Sequence, residues 1–159
     1  MKKSQSEKTN VMRILEQAGI PCILHDYTAS GVVSGPEVAA ALHQDPERVF
    51  KTLVTAGASG GHYVFVIPVT EELNLKKAAA AVGEKSVHMI PQKDLLPLTG
   101  YVHGGCSPIG MKKPFPTIFD FTAELFDTIC FSAGKIGYQV ECSFKSLSLS
   151  FPFSSGDLT

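Results

Sequence analysis

The stretch from Tyr101 to Pro114, Tyr-Val-His-Gly-Gly-Cys-Ser-Pro-Ile-Gly-Met-Lys-Lys-Pro, combines polar side chains with bare backbone. Gly104, Gly105 and Gly110 allow backbone angles closed to other residues and leave N–H groups open to a ligand, an arrangement able to hold an oxyanion or a phosphate. Pro108 and Pro114 remove donors and stiffen the segment, which limits the open amides chiefly to Gly104, Gly105 and Cys106. An ordinary surface turn uses the same residue types, so the loop alone leaves both readings open.

Lys51 is the second unusual residue. It alternates with Val49, Leu53 and Thr55 along one face of an expected strand. A lysine between aliphatic neighbours either snorkels from an edge or sits partly buried where its charge has a task. In the second case it supplies positive charge for a phosphate or carboxylate, while the loop amides receive a carbonyl oxygen.

Conventional nucleophiles fit less well. Gly105-Cys106-Ser107-Pro108-Ile109-Gly110 approaches the Gly-x-Ser-x-Gly elbow, but it is one residue too long. Pro108 also lacks the N–H that such enzymes place after the serine. Cys106 beside His103 satisfies sequence proximity but not the geometry of thiolate activation, and a buried thiol that packs as a small hydrophobe is the competing reading. His103 and Cys106 make half a metal set, and His25, His43, His62 and His88 show no ligand spacing, so no metal site is expected.

The elements that must position these residues follow from pattern. Val11, Ile14, Leu15 and Ala18 recur at helical spacing, capped by Thr9 or Asn10 and closed by Gly19. Cys22 to Tyr27 reads as an edge strand after Pro21. Ser34 to Glu37 forms a capping box leading to Val38, Ala41 and Leu42 on one face, and Asp45-Pro46 starts a single turn. Val49–Thr55 and His62–Pro68 flank a glycine turn as a hairpin expected at the centre of the sheet.

Asn74 and Gly83 bound a helix with Leu75, Ala78, Ala79 and Val82 inward and Lys76 and Lys77 solvated. Ser86–Ile90, Thr117–Asp120, Thr128–Ser132 and Tyr138–Glu141 read as strands, Gln92–Leu96 as a helical turn, and 132–137 as a second glycine loop. Ser143 caps a last short helix. The tail over 150–159, two phenylalanines among serines, is compatible with docking or mobility.

At 159 residues, with 44% hydrophobic and 18% charged residues, the chain suits one domain burying roughly 70% of its unfolded surface. Residues 1–9 form a polar leader without a signal-like apolar segment, and no apolar run approaches a membrane span, so the cytoplasm is expected. Cys22, Cys106, Cys130 and Cys142 lack paired spacing and are expected as free thiols. A net charge of −1 argues against broad gripping of phosphates, so any nucleic-acid contact should be local.

Val49-Phe50-Lys51-Thr52-Leu53, then Gly104 to Gly110, then Ser132-Ala133-Gly134-Lys135 resemble, in that order and separation, the YbaK family of free-standing aminoacyl-tRNA deacylases, which is related to the editing domain of bacterial prolyl-tRNA synthetase. The resemblance runs from about Val11 to Leu149. It implies an α+β fold, a single domain with a mixed, partly closed sheet surrounded by helices. It also implies hydrolysis of a mischarged tRNA at its 3′ aminoacyl end, typically Cys-tRNA(Pro), without a cofactor, with prolyl-tRNA synthetase as a partner.

By the same resemblance, Lys51, Gly104 and Gly105 carry catalysis by positioning and electrostatics, and the substrate's own thiol or ribose hydroxyl attacks. Tyr27, Ser107, Ser132 and Gln139 form the substrate pocket. Gln139 stands where relatives commonly carry an aspartate, which bears on amino-acid preference. Deacylation of Ala-tRNA(Pro) or another small aminoacyl-tRNA, a non-catalytic module for a tRNA end or nucleotide, and a thiol hydrolase using Cys106 are the alternatives.

Overall fold

The computed structural model describes residues 8–159, so most of the expected leader lies outside the described residues. The first helix, α1 (Asn10–Gln17), begins where the Thr9 hydroxyl accepts the Met12 N–H at 3.3 Å. It buries Val11, Met12 and Leu15.

Among the described residues, the strands fall into two sheets. The larger runs in the order β4 (Val87–Met89), β2 (Phe50–Gly57), β3 (His62–Pro68), β5 (Thr117–Asp120), β8 (Ser154–Gly156). Its first three strands pair antiparallel, while β3–β5 and β5–β8 are parallel, so it is mixed, with the β2–β3 hairpin at its heart as expected. The smaller sheet is antiparallel and places β7 (Tyr138–Ser143) between β1 (Cys22–Asp26) and β6 (Thr128–Lys135). A bridge between Val49 and Cys130 connects the two, and the strands stay open at that seam, where a partly closed sheet was expected.

Apolar residues of both sheets interdigitate. Val54, Val64, Val66 and Phe119 from the larger sheet pack with Ile129, Phe131 and Val140 from the smaller, and Val11 and Leu15 of α1 join them. Each such buried side chain contributes roughly 1.5–3 kcal/mol of transfer free energy. The other face of the larger sheet is covered by α3 (Leu75–Val82), whose Ala78 and Ala79 meet Phe65, Ile67, Ile118 and Leu158. Asn74 caps this helix by accepting from the Lys76 and Lys77 amides.

Two expectations change, and the open question of the tail is answered. In α2 (Gly35–Ala41), Ser34 caps as predicted, accepting from Glu37 N–H, but the buried residues are Val38 and Ala39, because the helix packs near Val49, Val69 and Cys130 rather than presenting Ala41. The 132–137 segment is mostly strand: β6 continues to Lys135 through a bulge that accommodates Gly134 at φ +93°, and only Ile136-Gly137 turns. The tail docks, with Phe151 and Phe153 stacked about Phe119 and Phe144, and Ser154–Gly156 lying parallel to β5 as β8. Leu158 is buried, and its N–H donates to the buried Asp120 carboxylate at 2.9 Å.

Gln92–Asp94 forms a 3-10 turn leading into α4 (Leu95–Thr99), which ends at Gly100 in the left-handed region. The glycine-rich loop follows directly. After β7 comes α5 (Phe144–Leu147), capped by Ser143, which accepts from Ser146 N–H.

Candidate active site

A cavity of about 530 Å³ opens at the seam between the sheets. Lys51 of β2, Gly104 of the glycine loop, Ser132 of β6, Gln139 of β7 and Tyr27 just after β1 all line it. Lys51 carries the sole formal charge among the described lining residues, and among the described residues no carboxylate pairs with it. Most of the remaining wall is aliphatic or aromatic, including Val33, Val38, Leu53, Val69, Ile90 and Phe131. An uncompensated cation in such a wall favours an anionic or strongly polarised ligand group.

The glycine loop presents its backbone through a tight turn. Gly105 N–H donates to the Val102 carbonyl at 3.0 Å, and Gly104 takes φ +90°, the conformation that the third position of a type II turn demands. This separates the two glycines in role. Gly104 keeps its N–H free of backbone acceptors among the described residues and lines the cavity. Gly105 is buried, its amide is committed, and a Cβ there would lie 3.0 Å from Ile136 N, so its small size lets the loop press against the β6–β7 turn.

Ser107 is not brought to the cavity. It is fully buried, and its Oγ accepts from Ile109 N–H at 3.4 Å, bracing the loop with the Tyr101 hydroxyl, which donates to the Ile109 carbonyl. Cys106 does line the cavity, yet burial pushes its thiol up to about 12, against a smaller lowering by Thr99. At neutral pH it is a protonated packing group. Burial also raises the Tyr27 phenol, outweighing a lowering contact with Gly137, so that hydroxyl stays neutral.

On the opposite wall Gln139 and Gln44 exchange amide hydrogen bonds of 2.7 and 3.0 Å. Ser132 is the cross-strand partner of Gln139, and its Oγ accepts from Gly134 N–H at 3.1 Å. Sequence reasoning missed Gln44, as well as the roof of Val33, Ser34, Gly35 and Pro36 and the polar contribution of Thr52, Gln92 and His103. For Thr52 a signal existed, since it follows Lys51 on a strand whose neighbour is cut short by Pro91. Among the described residues, no group of three or more His, Cys, Asp or Glu is placed to hold a metal ion.

Residues 30–148 match the aminoacyl-tRNA editing domain. The chain belongs to this family. A relative from Enterococcus faecalis named a Cys-tRNA(Pro)/Cys-tRNA(Cys) deacylase, EbsC, is 48% identical over 141 residues, covering 88% of this chain and 86% of its own. The proline–tRNA ligase of Shouchella clausii is 28% identical over 103 residues, 65% of this chain but 18% of the ligase. A crystal structure described as a trans-editing enzyme for prolyl-tRNA synthetase superposes with a TM-score of 0.80 at 24% identity, covering 95% of this chain and 98% of that one.

Within this editing-domain family the cavity has a ready interpretation: its matched segment contains every lining residue named above except Tyr27, which lies just before it. No helix among the described residues is long and apolar enough to cross a membrane.

Proposed function

We propose that the protein is a free-standing deacylase that hydrolyses the ester between a wrongly attached amino acid and the 3′ adenosine of tRNA, with Cys-tRNA(Pro) as the leading substrate. The observation that carries this reading is the shared cavity of Lys51 and Gly104: among the described residues, a cation without an ion-pair partner and an uncommitted glycine amide in a largely apolar enclosure. Lys51 orients the terminal nucleotide and its aminoacyl group, and the Gly104 N–H stabilises negative charge developing on the carbonyl oxygen.

The protein's own nucleophiles are poorly placed, with Cys106 held protonated and Ser107 sealed in the loop. With those two set aside, the attacking group in this reading comes from the substrate or from water that the substrate positions. With cysteine, the thiol sulfur bonds to the ester carbon, the C–O bond to the ribose breaks, the thiol proton passes to the departing ribose oxygen, and water then opens the released thiolactone to free cysteine. For substrates without a thiol, the neighbouring ribose hydroxyl positions a water whose oxygen bonds to the ester carbon while the C–O bond to the ribose breaks and the water's proton passes to the departing ribose oxygen. Action in the cytoplasm beside prolyl-tRNA synthetase fits a chain with net charge −1, which by itself grips little more than the tRNA's end.

Gln139, which Gln44 pairs with, lines the cavity as an uncharged group and favours neutral side chains, so Ala-tRNA(Pro) is the second substrate to test. Deacylation of Cys-tRNA(Pro), Cys-tRNA(Cys) and Ala-tRNA(Pro), with and without prolyl-tRNA synthetase, decides. Faster turnover of Cys-tRNA(Pro) supports the reading, and no turnover of any of them contradicts it.

A further inference from the structure

The main-chain pairing of β2 leaves one position unfilled. Val69 N–H donates to the Val49 carbonyl at 2.8 Å and Gly57 N–H to the Gly61 carbonyl at 2.7 Å, so the odd-numbered residues of β2 turn their peptide groups toward β3. The even-numbered residues turn theirs the other way. On that side Ala58 N–H donates to Ser86 at 3.0 Å, Ala56 lies opposite His88, and Ile90 N–H donates to the Val54 carbonyl at 3.4 Å.

The same register would set residue 92 opposite Thr52. Pro91 follows Ile90, however, and the chain leaves the sheet in the Gln92–Asp94 turn. Toward the other end of β2, the smaller sheet crosses at the Val49–Cys130 bridge. Between these two, no strand pairs with Thr52 on the edge away from β3 among the described residues, and Thr52 lines the cavity there. The Thr52 Oγ1 is buried with no hydrogen-bond partner. A vacant donor–acceptor pair beside a buried orphan hydroxyl is costly unless a ligand completes it.

We infer that the aminoacyl group of the substrate occupies this vacant rung as a one-residue strand. An α-amino ester carries its N–H donors and its carbonyl on either side of one carbon, as a residue in a strand does. In an antiparallel pairing with Thr52, the α-ammonium donates to the Thr52 carbonyl and the ester carbonyl accepts the Thr52 N–H. Recognition is then of the main-chain atoms common to all amino acids and requires a free α-amino group. The ester oxygen also gains a main-chain donor independent of the glycine loop. This inference rests on the deacylase reading.

The test uses 15N-labelled full-length protein and two non-hydrolysable probes: 3′-(L-cysteinylamino)-3′-deoxyadenosine and its 3-mercaptopropionyl counterpart, which lacks only the amino group. The first should move the Thr52 amide resonance downfield and slow its hydrogen exchange, and the second should bind about tenfold more weakly, as expected for losing a charge-assisted hydrogen bond. Saturable binding that leaves the Thr52 amide unmoved, or equal affinity for the two probes, overturns the rung while deacylation of Cys-tRNA(Pro), measured alongside, still stands. Absence of both binding and turnover removes the deacylase reading and the rung together.

Discussion

Gln44 and Gln139 hold each other by two reciprocal amide hydrogen bonds, 2.7 and 3.0 Å long, across 95 residues of sequence. Gln139 is 3% exposed, so the pair fixes an uncharged wall where a free amide would be unsatisfied. Replacing Gln44 by Ala strands the Gln139 amide and should cost about 1–3 kcal/mol in urea unfolding. Gln139→Asp should instead place a carboxylate in that wall and change the ratio of Cys-tRNA(Pro) to Ala-tRNA(Pro) turnover by about tenfold or more, because a buried charge is compensated differently by different substrates. An unchanged ratio would show that this wall does not touch the amino acid.

Cys106 lies in the cavity and invites the role of nucleophile, but its thiol is pushed up to about 12 by burial. Cys106→Ala should retain deacylation within about threefold, since a protonated thiol contributes packing and not attack. Alkylation of the native protein at pH 8 should be slow at this position. Abolished turnover in Cys106→Ala, with the fold intact, would favour a thiol hydrolase.

Glu141 ties the smaller sheet to the chain entering β2. Its carboxylate accepts from His25 at 2.8 Å, Thr128 at 2.8 Å and Arg48 at 2.5 Å. Burial pushes this carboxyl up, but the hydrogen bonds and the Arg48 guanidinium outweigh it, and the group ends below its ordinary 4.5. A depressed carboxyl adds stability that is fully present above the unfolded value and is lost as the pH falls through the lower folded value. The stability difference between wild type and Glu141→Gln should therefore hold from pH 7 to about 5 and shrink below 4.5. A difference independent of pH down to 3 would contradict this.

Local chemistry made much of the fold legible. Thr9, Ser34, Asn74 and Ser143 cap helices as their residue types predict, and Gly19 and Gly83 end them in the left-handed region. The β2–β3 hairpin followed from alternation and its glycine turn. What stayed hidden depends on contacts distant in sequence. The parting of the strands into two sheets is set by the Val49–Cys130 seam, and the tail's docking by Phe119 and Asp120, both more than thirty residues away from the groups they hold.

The site divides the same way. Lys51 and Gly104 were evident from residue type, and they meet in one cavity. Gly105 was expected among the open amides from its residue type, and Ser107 in the pocket from the resemblance, but the Val102–Gly105 turn commits the Gly105 amide and Ser107 is buried in the loop. Backbone pairing, not composition, decides which donors stay open.

The measurement closest to the central claim is the rate of Cys-tRNA(Pro) deacylation by Lys51→Ala, taken with its thermal unfolding. Lys51 has no ion-pair partner among the described residues, so the variant should fold with little change in Tm. Loss of the only formal charge among the described cavity-lining residues should lower kcat/KM by about 100-fold or more. A folded Lys51→Ala protein that deacylates at the wild-type rate would contradict the account.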